Sequence, residues 1–529
     1  MTTLYRGGRV LSPEHREASA FAVADGVVVW VGETGRAATA IDADLVVDLG
    51  GALVTPVFVD AHVHTTSTGL ALGELDLADA SSLADLLDRL SAFARARRGG
   101  VILGTGWDET RWPERRPPTA AEVDRATWGG VAYLARADVH SAVASSALLA
   151  VSSARGLPGF LGDGLVWLDA HHAVRKAAYA ALSGSDRRRA QEIALDHAAS
   201  LGIGCVHEMS GPEVAGLSDL ESLLELAGER GRVDVLAYWG ELGTDGIAVA
   251  QRLGLAGPGG DLFCDGSVGS HTAALRDPYA DDDTCGALRY DADDIAAHVV
   301  LAVRAGLQTG FHVIGDAAIE AVLTGFDKAA GELGREAVVA GRHRLEHVEL
   351  LSAESIRRMA QLGLVASVQP AFDAFWGGPS GMYLDRLGPE RAARMNPLSE
   401  LAAAGVPLAL SSDSPVTPLD PWGGVRAAVR HLTPGMGLSP KAAFAAATRG
   451  GWRAVGDDET GVLVTGAPAT FAVWDAEPVE PAPADQRIAS WSTDPWWSLT
   501  GLPDLDTTPE CRRTVVRGVT VFDAEEPTR

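Results

Sequence analysis

Short apolar runs, separated by longer stretches with apolar positions at helical spacing, recur along most of this chain. Residues 57–64, Val57-Phe58-Val59-Asp60-Ala61-His62-Val63-His64, begin apolar on both faces, as a strand buried in a parallel sheet does. Gly204-Cys205-Val206-His207-Glu208 follows a helical segment in which Ile193, Ala194, Ala198 and Leu201 share a face, closed by Gly202. Further strand-like runs lie at 233–239, 262–266, 309–314, 343–348, 364–369 and 407–413, and helical stretches rich in Ala, Leu and Arg separate most of them. Alternation of this kind predicts an α/β protein with parallel strands. Counted from the His62 run there are eight, the number that closes a (β/α)8 barrel. The first fifty residues read differently, as short strands with turns at 9–11, 19–23, 27–32 and 45–48, and the tail resumes that style at 470–475 and 514–521. The two ends are expected to join in one small β-sandwich.

The chemistry-bearing residues fall at one end of these strands. Side chains two apart on a strand point the same way, so His62 and His64 can offer two imidazoles to one metal ion. In barrels of this type the active residues sit at the carboxyl ends of the strands, where His312, His347 and Asp413 also fall.

With these segments the chain resembles the amidohydrolase superfamily, in the branch called amidohydrolase family 3. The resemblance rests on Phe58–His64, Gly106-Trp107-Asp108-Glu109, Asp265-Gly266-Ser267-Val268-Gly269-Ser270, His312-Val313-Ile314-Gly315-Asp316, Arg344-Leu345-Glu346-His347 and Ser412-Asp413-Ser414-Pro415, which run in the family's order over nearly the whole chain. It implies a metal-dependent hydrolase acting on amide or other C–N bonds. By the same resemblance His62 and His64 are first-strand metal ligands, His312 the fifth-strand ligand and His347 the sixth-strand histidine. Asp413 is the eighth-strand acid–base residue. The expected domains are a sandwich from 1–55 and 460–529 and a barrel over 56–459, with an inserted subdomain at about 66–185. That insertion is too long for an ordinary connection and is expected to roof the strand ends. Trp107, with Trp112 and Trp128, and His140 are placed there as pocket residues. His207, Ser267 and His271 are candidate substrate contacts from the barrel side, whereas His298 and His343 are read as structural.

Many relatives carry a lysine four residues before the Asp-Gly pair, carbamylated and bridging two metals. Here Asp261 stands there, and the three lysines, Lys176, Lys328 and Lys441, all lie in helix-like segments. Asp261 is several bonds shorter and is expected not to bridge, so either the site holds one metal, the reading preferred, or Cys205, Glu208 or Cys264 bridges two. One Zn²⁺ ion is therefore expected, with Fe²⁺ or Mn²⁺ as alternatives. Asp413 would take a proton from activated water and pass it to the leaving nitrogen, and His347 or the metal itself would polarise the carbonyl oxygen. Glu346 is placed on the opposite side of its strand, supporting a neighbouring ligand or in a structural salt bridge rather than in catalysis. The same site can serve an ester, a lactone or a ring deamination, and a non-catalytic scaffold is disfavoured by the intact set.

Charge narrows the partners. A net charge of −26 repels nucleic acid and anionic membranes, and no apolar run approaches transmembrane length. Four scattered cysteines fit a reducing, cytoplasmic setting. A small-molecule substrate is the expected partner, with a homodimer left open.

Overall fold

The computed structural model describes residues 1–97, 99–109, 112–136, 141–476 and 502–525; His140 lies outside them. The chain is α/β and forms two compact units, one of Met1–Thr65 with Leu195–Arg529, the other of Thr66–Ala194.

In the first unit, parallel strands pair in two sheets. One has the order Asp234–Trp239, Ile203–Ser210, Phe58–Val63; the other runs Gly310–Val313, Arg344–His347, Val365–Val368, Leu408–Leu410. Isolated parallel bridges continue both: Tyr238 with Gly257, Phe263 with His312, and Val63 with Ser414. The segment read as a strand at 262–266 therefore makes only a single bridge. Its chain passes through Gly257, Gly259 and Gly260 before Asp261, and this stretch follows no regular ladder.

Helices cover the strands through apolar faces. The Asp316–Leu333 helix buries Ile319, Val322, Leu323 and Phe326, which repeat at helical spacing. Asp291 caps the Ala292–Arg304 helix by accepting from the backbone N–H of Asp293 and Asp294. Phe58 packs edge-on against Trp422, Phe444 and Trp474, with ring centroids 4.9, 5.5 and 5.8 Å away. Phe58 thus links the first strand, the last helices and the C-terminal segment in one core.

The two chain ends do pair. Phe471–Asp475 runs antiparallel to Leu53–Pro56 and to Glu510–Val516, while Thr2–Arg6, a strand the pattern did not reveal, lies between Ala20–Ala24 and Leu45–Asp48. Tyr5, Phe21 and Phe471 meet in one aromatic cluster, with centroids 4.8 to 5.1 Å apart. The run at 514–521, expected as one strand, is a hairpin of Glu510–Val516 and Val519–Asp523. Its turn is Arg517-Gly518, both at positive φ, the geometry that two-residue hairpin turns require.

The second unit contains a sheet that helix-like periodicity did not anticipate. Its order is Leu165–Trp167, Ser141–Ala144, Ala132–Arg136, Ile102–Trp107, Leu75–Asp76. Trp107 and Trp112 are core residues of this unit rather than pocket walls. Both are buried, and their indole N–H groups donate to Leu134 O at 2.9 Å and Ala80 O at 2.7 Å. Trp128 is exposed and lies under Arg95.

Two histidines are structural at the amino-terminal end of the strands. Gly243 N donates to His298 Nδ1 and Thr309 N donates to His343 Nδ1. Burial presses both imidazoles down to about 4, so they stay neutral in the fold. An unfolded histidine titrates near 6.5, so the stability each contributes is present above that pH and is lost as pH falls towards 4. Buried Asp60 and Glu349, pushed up to about 6 and about 7 by burial, act with the opposite sign. The test is therefore a difference between two proteins. Urea unfolding of His298→Gln should show a pH dependence shallower than the parent's by about 2 kcal/mol between pH 6.5 and 5. Parallel curves would contradict the neutral, buried His298.

Candidate metal centre

His62 and His64 leave the end of the Phe58–Val63 strand on one face, and the strand's pairing places Asp413 beside them. Asp413 N donates to His62 O at 2.9 Å, and His64 N donates to Ser414 O at 3.0 Å. Asp60 Oδ1 accepts from Ser412 N and from His62 N, so the two strand ends are pinned together. His62 Nε2 lies 3.4 Å and His64 Nε2 3.2 Å from Asp413 Oδ1. His312 and His347 arrive from neighbouring strands, their ring centroids 4.4 Å apart.

Asp261, expected not to bridge, stands among all four imidazoles. Its Oδ1 is 3.5 Å from His62 Nε2, 3.5 Å from His312 Nδ1 and 3.9 Å from His347 Nε2; its Oδ2 is 3.3 Å from His64 Nε2. The candidates to replace it are elsewhere. Cys205 and Cys264 are packed in apolar clusters, where burial pushes their thiols up. Glu208 accepts from Thr65 N and Ser210 Oγ.

Each imidazole is fixed from behind. The far ring nitrogens face Glu346 Oε2 at 2.9 Å (His62), Met209 O at 3.1 Å (His64), Gly266 O at 3.2 Å (His312) and Gln369 Oε1 at 2.9 Å (His347). All four partners are acceptors, since Gln369 Nε2 donates to Ser411 Oγ and so turns its oxygen to His347. The ring N–H is therefore on the far side, leaving a lone pair directed at the centre. His62 Nε2, His312 Nδ1, His347 Nε2, Asp261 Oδ1 and Asp413 Oδ1 are all buried with no hydrogen-bond partner among the described residues. Such atoms, gathered in overlapping sets that share His62, fit metal coordination. Ligands about 2.0–2.1 Å from one tetrahedral ion lie about 3.3 Å from one another, close to the spacings above.

Electrostatics gives the same answer. Burial opposes the charged form of His62 and His64, but Asp261 and Asp413 outweigh it; His62 is raised well above its ordinary value and His64 to about 9. His347 moves down, through burial and the nearby His312. Despite burial, the surrounding histidines hold Asp261 and Asp413 below the usual carboxylate range. Two buried carboxylates thus demand positive charge, which protons supply when metal does not.

Below the centre lies a fully buried ion pair. Arg344 donates from Nε to Glu346 Oε1 at 2.6 Å and from Nη2 to Glu346 Oε2 at 3.0 Å, to Ala61 O at 2.5 Å and to Ser367 Oγ at 2.9 Å. Its guanidinium also sits 4.8 Å from the Tyr238 ring centroid. Burial would raise the Glu346 carboxyl, but Arg344 and His62 hold it near 2. Glu346 therefore points to the centre, not away from it. His347 reaches the centre as well because its backbone leaves the strand conformation, at φ 71°.

The remaining candidates divide. His207 is fully buried rather than exposed at a strand end: its strand runs on to Ser210, and its Nδ1 lies 3.0 Å from Arg344 Nη1. Ser267 is exposed in the loop after Gly266, whose carbonyl holds His312. His271 is half-buried in that loop, 2.9 Å from Asp281 Oδ1 and edge-on to Tyr279.

The model of the Amidohydrolase family matches residues 45–522. The chain belongs to this family. It is 27% identical over 449 residues to protein LONG AFTER FAR-RED 3 of Arabidopsis thaliana, covering 79% of this chain and 75% of that one. Identity to the N-substituted formamide deformylase of Arthrobacter pascens is 26% over 527 residues, covering 90% and 94%. An uncharacterized metal-dependent hydrolase from Pyrococcus furiosus has a solved structure that matches with a TM-score of 0.75 at 28% identity, over 89% of this chain and 98% of that one. This amidohydrolase has, among its described residues, no helix long and apolar enough to cross a membrane.

Proposed function

We propose that this chain is a metal-dependent hydrolase that cleaves a C–N bond, an amide or N-formyl group of a small molecule. Likeness to a formamide deformylase over nearly its whole length supports that bond type. The strand order, closed through the Val63–Ser414 bridge, supports reading 56–459 as a (β/α)8 barrel with 1–55 and 460–529 as a β-sandwich. The observation that carries the functional reading is the set of four imidazoles, each tied to an acceptor on its far side, with those of His62, His312 and His347 bare towards two buried carboxylates.

His62, His64, His312, His347, Asp261 and Asp413 would hold the metal. When bound, a divalent ion, best Zn²⁺ for this N/O set and next Fe²⁺ or Mn²⁺, polarises a carbonyl oxygen and makes water acidic near neutral pH. Asp413 is ionised, and its Oδ1 faces the centre without a hydrogen-bond donor. It can accept a proton from water there and return it to the departing nitrogen, which leaves poorly unless protonated. His347 serves as a ligand rather than as a donor to the carbonyl oxygen, because Gln369 fixes its N–H on the other nitrogen. Ser267 and His271, on the loop after Gly266, would meet the rest of the substrate. Turnover by the zinc-loaded protein of a mixed panel of amides, formamides, esters and lactones tests the reading. Hydrolysis of amide or formamide members is expected; turnover confined to esters or lactones would overturn it.

A further inference from the structure

A row of aromatic rings runs outward from the metal centre. The Phe372 ring lies parallel to the His347 imidazole, with centroids 6.0 Å apart and an interplanar angle of 8°. Trp376 meets Phe372 at 4.7 Å, and Phe375 meets Trp376 at 6.5 Å. All three belong to the helix Pro370–Trp376, which follows the strand Val365–Val368 after one residue. They therefore stand at the carboxyl end of the strands, with the imidazoles. Burial falls along the row: Phe372 is buried, Trp376 half-buried and Phe375 62% exposed. Single exposed apolar residues are common on any surface, but a row continuous with a reactive centre marks a binding surface.

Polar ties on the buried side hold this row in place. Asp373, the only charged residue of the helix, turns inward, and its Oδ2 accepts from Leu432 N at 2.7 Å. Leu432 is itself 47% exposed and borders the end of the helix, where a Cβ on Gly378 would stand 3.2 Å from its Cδ1. Tyr383, on the following helix Met382–Ala392, donates its hydroxyl to buried Glu349 Oε2. Rings fixed in advance lose little freedom when a ligand settles on them, which favours binding.

We propose that Phe372, Trp376 and Phe375 form a subsite for an aromatic substituent, and that the preferred substrates are uncharged amides or formamides carrying an aryl group. The inference rests on the reading of the metal centre as the place where the C–N bond is cleaved, and it specifies what else the substrate carries. A substrate ring would extend the row, meeting Trp376 and Phe375 at the 4.5–7 Å centroid spacing that aromatic pairs adopt. The inward turn of Asp373 leaves the helix without a charge to meet an ionised substituent.

The test compares the zinc-loaded parent, Phe375→Ala and Trp376→Ala on N-propylformamide and N-(2-phenylethyl)formamide. These place a methyl or a phenyl group at the same distance from the amide. Propyl formate and 2-phenylethyl formate form the matching ester pair. The parent's kcat/KM should favour the phenyl member by at least about tenfold, chiefly through KM. Each substitution should cut that preference by about twofold to tenfold, the worth of one ring contact. Phe375 is largely exposed, so its variant serves if Trp376→Ala does not fold. A parent indifferent to the phenyl group, or a preference that the folded variants keep in full, overturns the subsite. Turnover confined to the esters would overturn the C–N reading, and the phenyl preference within the ester pair would still decide the subsite. If neither pair turns over, calorimetric titration with N-(2-phenylethyl)formamide decides it. Binding to the parent that weakens in Phe375→Ala supports the subsite, and no binding, or binding left unchanged, overturns it.

Discussion

Asp413→Asn is expected to lower the maximal rate at least about a hundredfold, the lower range for a positioned acid–base group, with the fold unchanged. The amide keeps the shape of the side chain but cannot take a proton from water. The backbone features that set this residue, its N–H to His62 O and its φ of 55°, do not depend on the carboxylate. Circular dichroism and unfolding curves should therefore overlay the parent's while turnover collapses. An Asn variant with near-parental turnover at saturating metal would move the proton-transfer role to another residue.

The second large effect is on stability. Arg344→Met should cost about 3–5 kcal/mol, the range for breaking a buried ion pair from one side. Arg344 and Glu346 are both fully buried, so removing the cation leaves a carboxylate with no water to solvate it. The double variant Arg344→Met, Glu346→Gln should recover part of that loss, because the stranded charge is gone. Urea unfolding of parent, both single variants and the double variant measures the coupling. A single Arg344→Met variant as stable as the parent would show that the pair carries no such weight.

Much of the centre was legible because it follows from strand geometry. His62 and His64 share a face since they are two apart, and His312, His347 and Asp413 end runs that pair side by side. What the sequence concealed depends on where the chain departs from regular elements. Asp261 looked too short because a bond count assumes a regular strand, whereas Gly259 and Gly260 pack so close to Gly310 N and Met209 Sδ that a Cβ would stand 2.4 Å from each. Glu346 and His347 are adjacent and should face opposite ways, yet the positive φ of His347 lets both serve the centre. His207 looked like a strand-end residue because nothing in the sequence marks that its strand continues to Ser210. Trp107 is equally apolar to a pocket and to a core, and only the sheet around it, with Leu134 accepting its N–H, decides the matter. Arg517-Gly518 is a turn signal set within an apolar run, and the apolar residues on either side of it mask the turn.

The most direct test of the account is metal dependence at this centre, measured on an amide or formamide substrate found with the panel. Chelation followed by dialysis should remove turnover together with the bound metal, and Zn²⁺ should restore both in the parent but not in His62→Ala. Metal-stripped protein that keeps its full rate would contradict the account.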